Sequence, residues 1–175
     1  MRLVCVCRGN LCRSPMAAAV LRTKLQRAGL DVRIESAGTA TWHRGDPAEP
    51  EAVATAADRG YTIGIHRARR IVAEDFDADL LLAMDVANIG ALERLAPISS
   101  MALLEPFHPT RDIDDPYYGG RPAFEAALDL IEDAADIVVA RLVAAEQSVS
   151  ASLDRARRSA AIEAWKARRL GNRRA

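Results

Sequence analysis

The stretch CVCRGNLCRSP, residues 5–15, holds all three cysteines of a 175-residue chain, together with two arginines, a glycine and a proline. Cysteines gathered in this way can bind a metal, close a disulfide or act as nucleophiles. An odd number within eight residues does not make an extracellular disulfide framework and points to a reducing compartment. Paired CxxC spacing and nearby histidines are both missing, which argues against zinc. Five residues separate Cys7 from Arg13, and Ser14 follows. A thiol ringed by backbone N–H groups, beside a guanidinium and a helix N-terminus, is favoured as thiolate, the nucleophilic form. Arg13 supplies a planar fork that matches two oxygens of a phosphate. Ser14 can donate a hydrogen bond to the sulfur, favouring the thiolate and easing its later departure. An activated sulfur beside a transition-state clamp is equipment for phosphoryl transfer. Packing accounts for Cys5, since free cysteine is often a core residue. It does not account for Cys7, because a packed thiol needs no Gly9, Asn10, Arg13, Ser14 and Pro15 around it.

Such a loop has to hang between a strand and a helix. RLVCV is a short β-branched apolar run that reads as a buried strand. SPMAAAVLRTKLQRAG reads as the helix, with Ser14 as N-cap, Pro15 at the first helical position, Arg22, Lys24 and Arg27 toward its C-terminal end and Gly29 to stop it. The backbone N–H groups of the loop and the helix dipole then form an anion cradle. It lacks the lysine and glycine spacing of a nucleotide-binding loop. Further strands are expected at VRIES, DADLLLAMD and, more weakly, SMALL, with helices at residues 50–59 and at VANIGALERLA. From Arg121, residues Phe124, Leu128, Ile131, Ala135, Val138 and Leu142 trace one face of a long helix. Strands alternating with helices imply an α/β fold: three layers, α/β/α, around a four-stranded parallel sheet, with the phosphate-binding loop after strand one.

Half of the chain is hydrophobic, enough for one core without staples. No run approaches the roughly 18 apolar residues of a membrane span. The N-terminus has no apolar signal core or cleavage site, so the cytosol is the expected location. The net charge of zero conceals an asymmetry. Residues 151–175 carry eight Arg/Lys against two Asp/Glu, a balance of +6, leaving the first 150 positions at −6. Two regions are therefore expected: a domain over residues 1–147 and a basic Ala/Arg-rich extension over 148–175, partly helical and solvated. The extension could be a plain solvated helix, a contact for an anionic surface or a docking segment for a protein partner; nucleic acid is not expected.

With these residues in view, the chain resembles the low-molecular-weight protein tyrosine phosphatases, and their bacterial members in particular. The family signature of Cys, five residues, Arg-Ser, with an internal Gly-Asn and a following Pro, is met by Cys7, Gly9, Asn10, Cys12, Arg13, Ser14 and Pro15. ESAGT, HRARR, AMD and DDPYYGG match further segments in the expected order. The resemblance implies hydrolysis of phosphotyrosine in proteins through a cysteinyl-phosphate, with Cys7, Arg13 and Asp115 catalytic. Arg8, Gly9, Asn10, Leu11, Cys12, Arg13 and Ser14 would bind the phosphate, and Asn10, Ser14, Ser36 and His66 would brace the loop. The resemblance also places Asp85 at a recurring structural position. It is what singles out Asp115 as general acid, ahead of Asp112 and Asp114, which the residues alone rank only weakly. Leu11, Trp42, Tyr117 and Tyr118 are the expected walls of the substrate cleft. Cys7 and Cys12 would form a reversible disulfide that protects the nucleophile. No metal or cofactor is implied, and the expected state is a monomer or weak dimer. His43 and His108 lie in polar loops and receive no role.

Arg8 departs from the family, which more often has an apolar or small residue after the nucleophile. Its side chain adds charge at the rim of the cleft, to lower the Cys7 pKa, to favour acidic substrates or simply to be solvated. Three rival functions share parts of the pattern. Arsenate reductases use further cysteines downstream, and none follows Cys12. Protein-arginine phosphatases tend to carry Thr where Leu11 stands and lack the Tyr-Tyr after Asp-Pro. A non-catalytic phosphate-binding module would not be expected to keep Cys7, Arg13 and Asp115.

Overall fold

The structure, a computed structural model, describes residues 1–97, 100 and 102–171. Met101 of the expected strand and residues 172–175 of the expected tail lie outside the described residues, as do the side chains of Ile162 and Trp165. Two compact units divide the chain, Met1–Val139 and Ala140–Ala175.

In the first unit, β1 (Arg2–Cys7), β2 (Arg33–Gly38), β3 (Leu80–Ala83) and β4 (Leu103–Pro106) form one parallel sheet in the order β2-β1-β3-β4. From β1 the chain turns one way to β2 and then returns to the other side for β3. The strand order therefore reverses beside β1, where ligands of parallel sheets bind. β1 lies between two strands and is covered on both faces, which is why Leu3, Val4, Cys5 and Val6 form an unbroken apolar run with no accessible surface. The outermost strand β4 is only partly buried, matching its weaker sequence signal.

Helices cover both faces. On one, α3 (Val86–Leu95) brings Leu92, flanked by Ile89 and Leu95, against Val4, Val6, Leu81 and Ala83. The opposite layer holds α1 (Arg13–Arg27), α2 (Pro50–Asp58) and the first turns of α4 (Gly120–Gly171). Ion pairs fasten α4 there: Lys24 of α1 meets Asp136, Arg59 meets Asp129 and Glu132, and Arg121 reaches Glu51 and Asp58 of α2. Phe124, Leu128, Ile131, Ala135 and Val138 of α4 are buried, as their helical spacing predicts. In the second unit α4 is helical to Gly171, passing residue 147 without a break. Among the described residues no helix is long and apolar enough to cross a membrane.

The ends of α1 illustrate what local pattern can and cannot fix. Gly29, at φ 74°, ends the helix as expected: its N–H donates to the Gln26 carbonyl and that of Leu30 to the Leu25 carbonyl, a Schellman closure. The start lies two residues earlier than the capping pattern predicts. Cys12 occupies the cap position, Arg13 opens the helix, and Ser14 is inside it. The Ser14 hydroxyl is not free to cap because it is engaged in the loop that precedes the helix.

Candidate active site

Cys7 ends β1, and residues 8–12 curl from it back to the start of α1. The curl closes through Asn10, which adopts a left-handed conformation at φ 57° and turns its N–H onto the Cys7 sulfur at 3.2 Å. Fully buried, Asn10 has a partner for every polar group. Its Nδ2 donates to the hydroxyls of Ser14 at 3.0 Å and Ser36 at 2.9 Å. Its Oδ1 accepts from the backbone N–H of Arg69 at 2.9 Å, and its carbonyl accepts from His66 Nε2 at 2.7 Å. The three bracing residues expected beside Asn10 therefore all reach it; the Arg69 backbone is a fourth contact that sequence reasoning missed. HRARR stands next to the loop because residues 69–71 add to the end of β2, with Arg70 bridged to Gly38.

Ser14 Oγ lies 3.0 Å from Cys7 Sγ. It already accepts from Asn10, so its own hydrogen is available to the sulfur or to the Ala37 carbonyl at 3.3 Å. Burial pushes the Cys12 thiol up, reinforced by the neighbouring Cys7 and Asp115, so Cys12 stays protonated. Cys5 packs in the core, its thiol pushed up to about 12 by burial.

Arg13 is buried and held by three partners. Its Nη1 donates to Asp85 Oδ2 at 2.6 Å and to the Ile113 carbonyl at 2.9 Å, and its Nη2 donates to Asp115 Oδ2 at 2.6 Å. Burial opposes its charge, but Cys7, Asp115 and Asp85 outweigh that and raise its pKa. Asp85 does two jobs, since its other oxygen caps α3 by accepting from Asn88 N–H at 2.6 Å. The cap was readable as Asp after a strand and before a helix; the grip on Arg13 was not. Of the three aspartates in the 105–120 loop, Asp115 alone lines the cavity, whereas Asp112 accepts from the N–H of Val86 at the start of α3.

A cavity of about 330 Å³ opens over the sulfur, lined by Cys7, Arg8, Gly9, Leu11, Cys12, Arg13, Trp42, His43, Asp115, Tyr117 and Tyr118. All four expected wall residues are among them. Tyr117 and Tyr118 meet edge to face at 4.9 Å between ring centroids. His43, given no role from sequence, also faces this cavity, 6.2 Å from the Tyr117 ring, with Nδ1 3.1 Å from Asp46. His108 stays outside: its Nε2 lies 3.1 Å from Asp133, while Nδ1 accepts from the N–H groups of Thr110 and Arg111. Arg8 contributes its backbone to the loop, and its side chain turns outward onto the Trp42 ring, 4.7 Å from the centroid.

Gly38, at the end of β2, is a further requirement. A Cβ there would lie 2.8 Å from the Arg8 carbonyl and 3.1 Å from the Asn10 nitrogen. The loop can rest on β2 only where there is no side chain.

Comparison with known proteins adds four findings. A family model described as low molecular weight phosphotyrosine protein phosphatase matches residues 2–148. A low molecular weight protein-tyrosine-phosphatase of Streptomyces coelicolor is 43% identical over 145 residues, covering 76% of this chain and 88% of that protein. Among solved structures, a protein tyrosine phosphatase of Entamoeba histolytica superposes with a TM-score of 0.79 at 32% identity, over 83% of this chain and 99% of that one. A Drosophila arginine phosphatase superposes at 0.77 with 30% identity, over 81% and 98%.

Proposed function

The chain belongs to the low molecular weight phosphotyrosine protein phosphatase family and is a protein-tyrosine phosphatase; we propose that Cys7, Arg13 and Asp115 carry its reaction. The Cys7 thiolate attacks phosphorus in line with the aryl oxygen. As the S–P bond forms and the P–O bond breaks, Asp115 as carboxylic acid protonates the departing phenolate. Arg13 and the N–H groups of residues 8–14 hold the equatorial oxygens, where charge spreads in the transition state. The Asp115 carboxylate then takes a proton from water, whose oxygen attacks phosphorus. The S–P bond breaks and Cys7 departs as thiolate, accepting a hydrogen bond from Ser14. One observation supports this reading above the others: Cys7, Arg13 and Asp115 converge on one cavity although Arg13 and Asp115, in direct contact, are 102 residues apart in the chain.

Hydrolysis of phosphotyrosine, phosphoserine and phosphoarginine peptides by the purified protein tests the reading. Phosphotyrosine turnover should vanish in Cys7→Ser and fall by about 10²–10⁴-fold in Asp115→Asn. Unchanged turnover in Cys7→Ser would overturn it. A second reading, protein-arginine phosphatase, draws on the fold shared with the Drosophila enzyme. Against it stand the bulky Leu11 and the two tyrosines lining the cavity. A preference for phosphoarginine would decide for it.

In the same reading the enzyme works in the cytosol as a monomer or weak dimer, on phosphotyrosine proteins, without metal, cofactor or nucleic acid. The basic segment 148–175 serves to dock a partner. Cys12 is the resolving thiol. Peroxide oxidises Cys7 to the sulfenic acid, releasing water; the Cys12 sulfur attacks the Cys7 sulfur, and a second water leaves as the disulfide forms. After peroxide treatment, dithiothreitol should restore activity to the wild type and fail to restore it to Cys12→Ser. Equal recovery of both would remove the role of Cys12.

A further inference from the structure

Arg8 is exposed although it sits inside the phosphate-binding loop. Its neighbours explain why. The adjacent backbone faces Gly38 too closely for any side chain to pass, and Asn10 fills the buried side of the loop. The side chain can leave only outward, and there its guanidinium lies over the Trp42 indole at 4.7 Å. Both residues line the mouth of the cavity above Cys7.

The contact restrains the guanidinium without consuming its hydrogen-bonding capacity, since the ring attracts its charge and takes up none of its five N–H donors in a conventional hydrogen bond. Three carboxylates close to the cleft are committed elsewhere, Asp115 to Arg13, Asp85 to Arg13 and α3, and Asp46 to His43, while Glu49 stands on the side of Cys12 and Tyr117. Among the described residues no carboxylate pairs with Arg8. The result is a positioned cation at the rim of the cleft, open to the segment of substrate next to the phosphotyrosine.

Resting on the phosphotyrosine reading, we propose that Arg8, held on Trp42, is a specificity-determining residue that selects phosphotyrosine sites with an acidic side chain immediately beside the phosphotyrosine. The guanidinium edge takes the carboxylate in a forked contact while the phosphate is bound at Cys7. Because the contact is at a rim, it is screened by salt.

The test compares two phosphotyrosine peptides of equal length, one with Glu and one with Lys on both sides of the phosphotyrosine. The quantity read is the ratio of their kcat/KM values within each protein, which cancels any general loss of activity in a variant. Wild type should favour the Glu peptide by about fivefold at low salt, with the preference shrinking as NaCl rises. Arg8→Met should bring the ratio near one, and Arg8→Glu should invert it. Trp42→Leu should weaken the preference while leaving the charge in place; Arg8→Lys should retain part of it. A wild-type ratio near one, or a ratio unchanged in Arg8→Met, would overturn the proposal and leave the phosphatase reading standing. Turnover of neither peptide by wild type would overturn that reading and the proposal with it.

Discussion

Asn10 holds the catalytic loop together as a single residue that links the nucleophile to three other segments. Asn10→Ala would leave the hydroxyls of Ser14 and Ser36 and the N–H of Arg69 short of a partner in a buried setting. We expect a stability loss of about 3 kcal/mol in urea unfolding, with a fall in kcat/KM of about tenfold or more. Asp85 offers a cleaner separation of roles. Asn caps a helix as well as Asp does, so Asp85→Asn keeps the start of α3 and removes the charge that orients Arg13. The amide N–H2 that then faces the buried guanidinium should cost about 1–3 kcal/mol in urea unfolding, while kcat/KM drops by about ten- to a hundredfold. Equal activity in the variant would mean that the Ile113 carbonyl is a sufficient anchor. The first of these residues was legible in the Gly-Asn of the loop. The second was visible only as a recurring structural position that the resemblance implies, because its distance to Arg13 depends on how two strands end side by side.

At the scale of elements, the end of β2 and the segment that adds to it fix the height of the loop above the sheet. Gly38→Ala would press a methyl into the Arg8 carbonyl, where only backbone could yield. A loss of about 1–3 kcal/mol is expected by denaturant unfolding, together with a fall in kcat. His66 joins the same region to Asn10 and carries a pH signature. Burial lowers its pKa, helped by nearby Arg22, Arg67 and Arg69, so the folded state holds it neutral. Unfolded chains take up the proton at about 6.5. The stability it contributes is therefore complete above that value and is lost as pH falls from there toward the lowered folded value. Urea midpoints of wild type should drop more between pH 7 and 5 than those of His66→Gln; parallel curves would exclude this origin. The glycine and the histidine were readable as motif letters. Their function was not, since both act through segments about 30 to 60 residues away from the loop they support.

The molecule as a whole sets an acidic catalytic unit and a basic segment in one chain. The family match ends at residue 148, whereas α4 continues to Gly171. We expect a chain ending at Gln147 to keep its thermal midpoint and its kcat/KM on an aryl phosphate within about twofold, a change smaller than typical surface effects. A large loss of either would make the basic segment part of the enzyme's working unit and remove the division expected from charge alone. The phosphotyrosine reading itself belongs to this scale, because the cavity requires the end of β1 and the loops that follow β2 and β4 to meet.

By itself the sequence determined the strand, anion-binding loop and helix of the nucleophile, and with them the class of chemistry. Those features depend on residues adjacent in the chain, where spacing and turn chemistry act directly. The alternation of apolar runs also determined the parallel sheet and the buried face of α4. Tertiary structure alone decided that Asp85 grips Arg13, that His43 enters the cleft and that Arg8 lies on Trp42 at its rim. Each of these is a meeting of loops brought together by strand order, and the periodicity of a chain says which side chains are buried without saying which loops will meet.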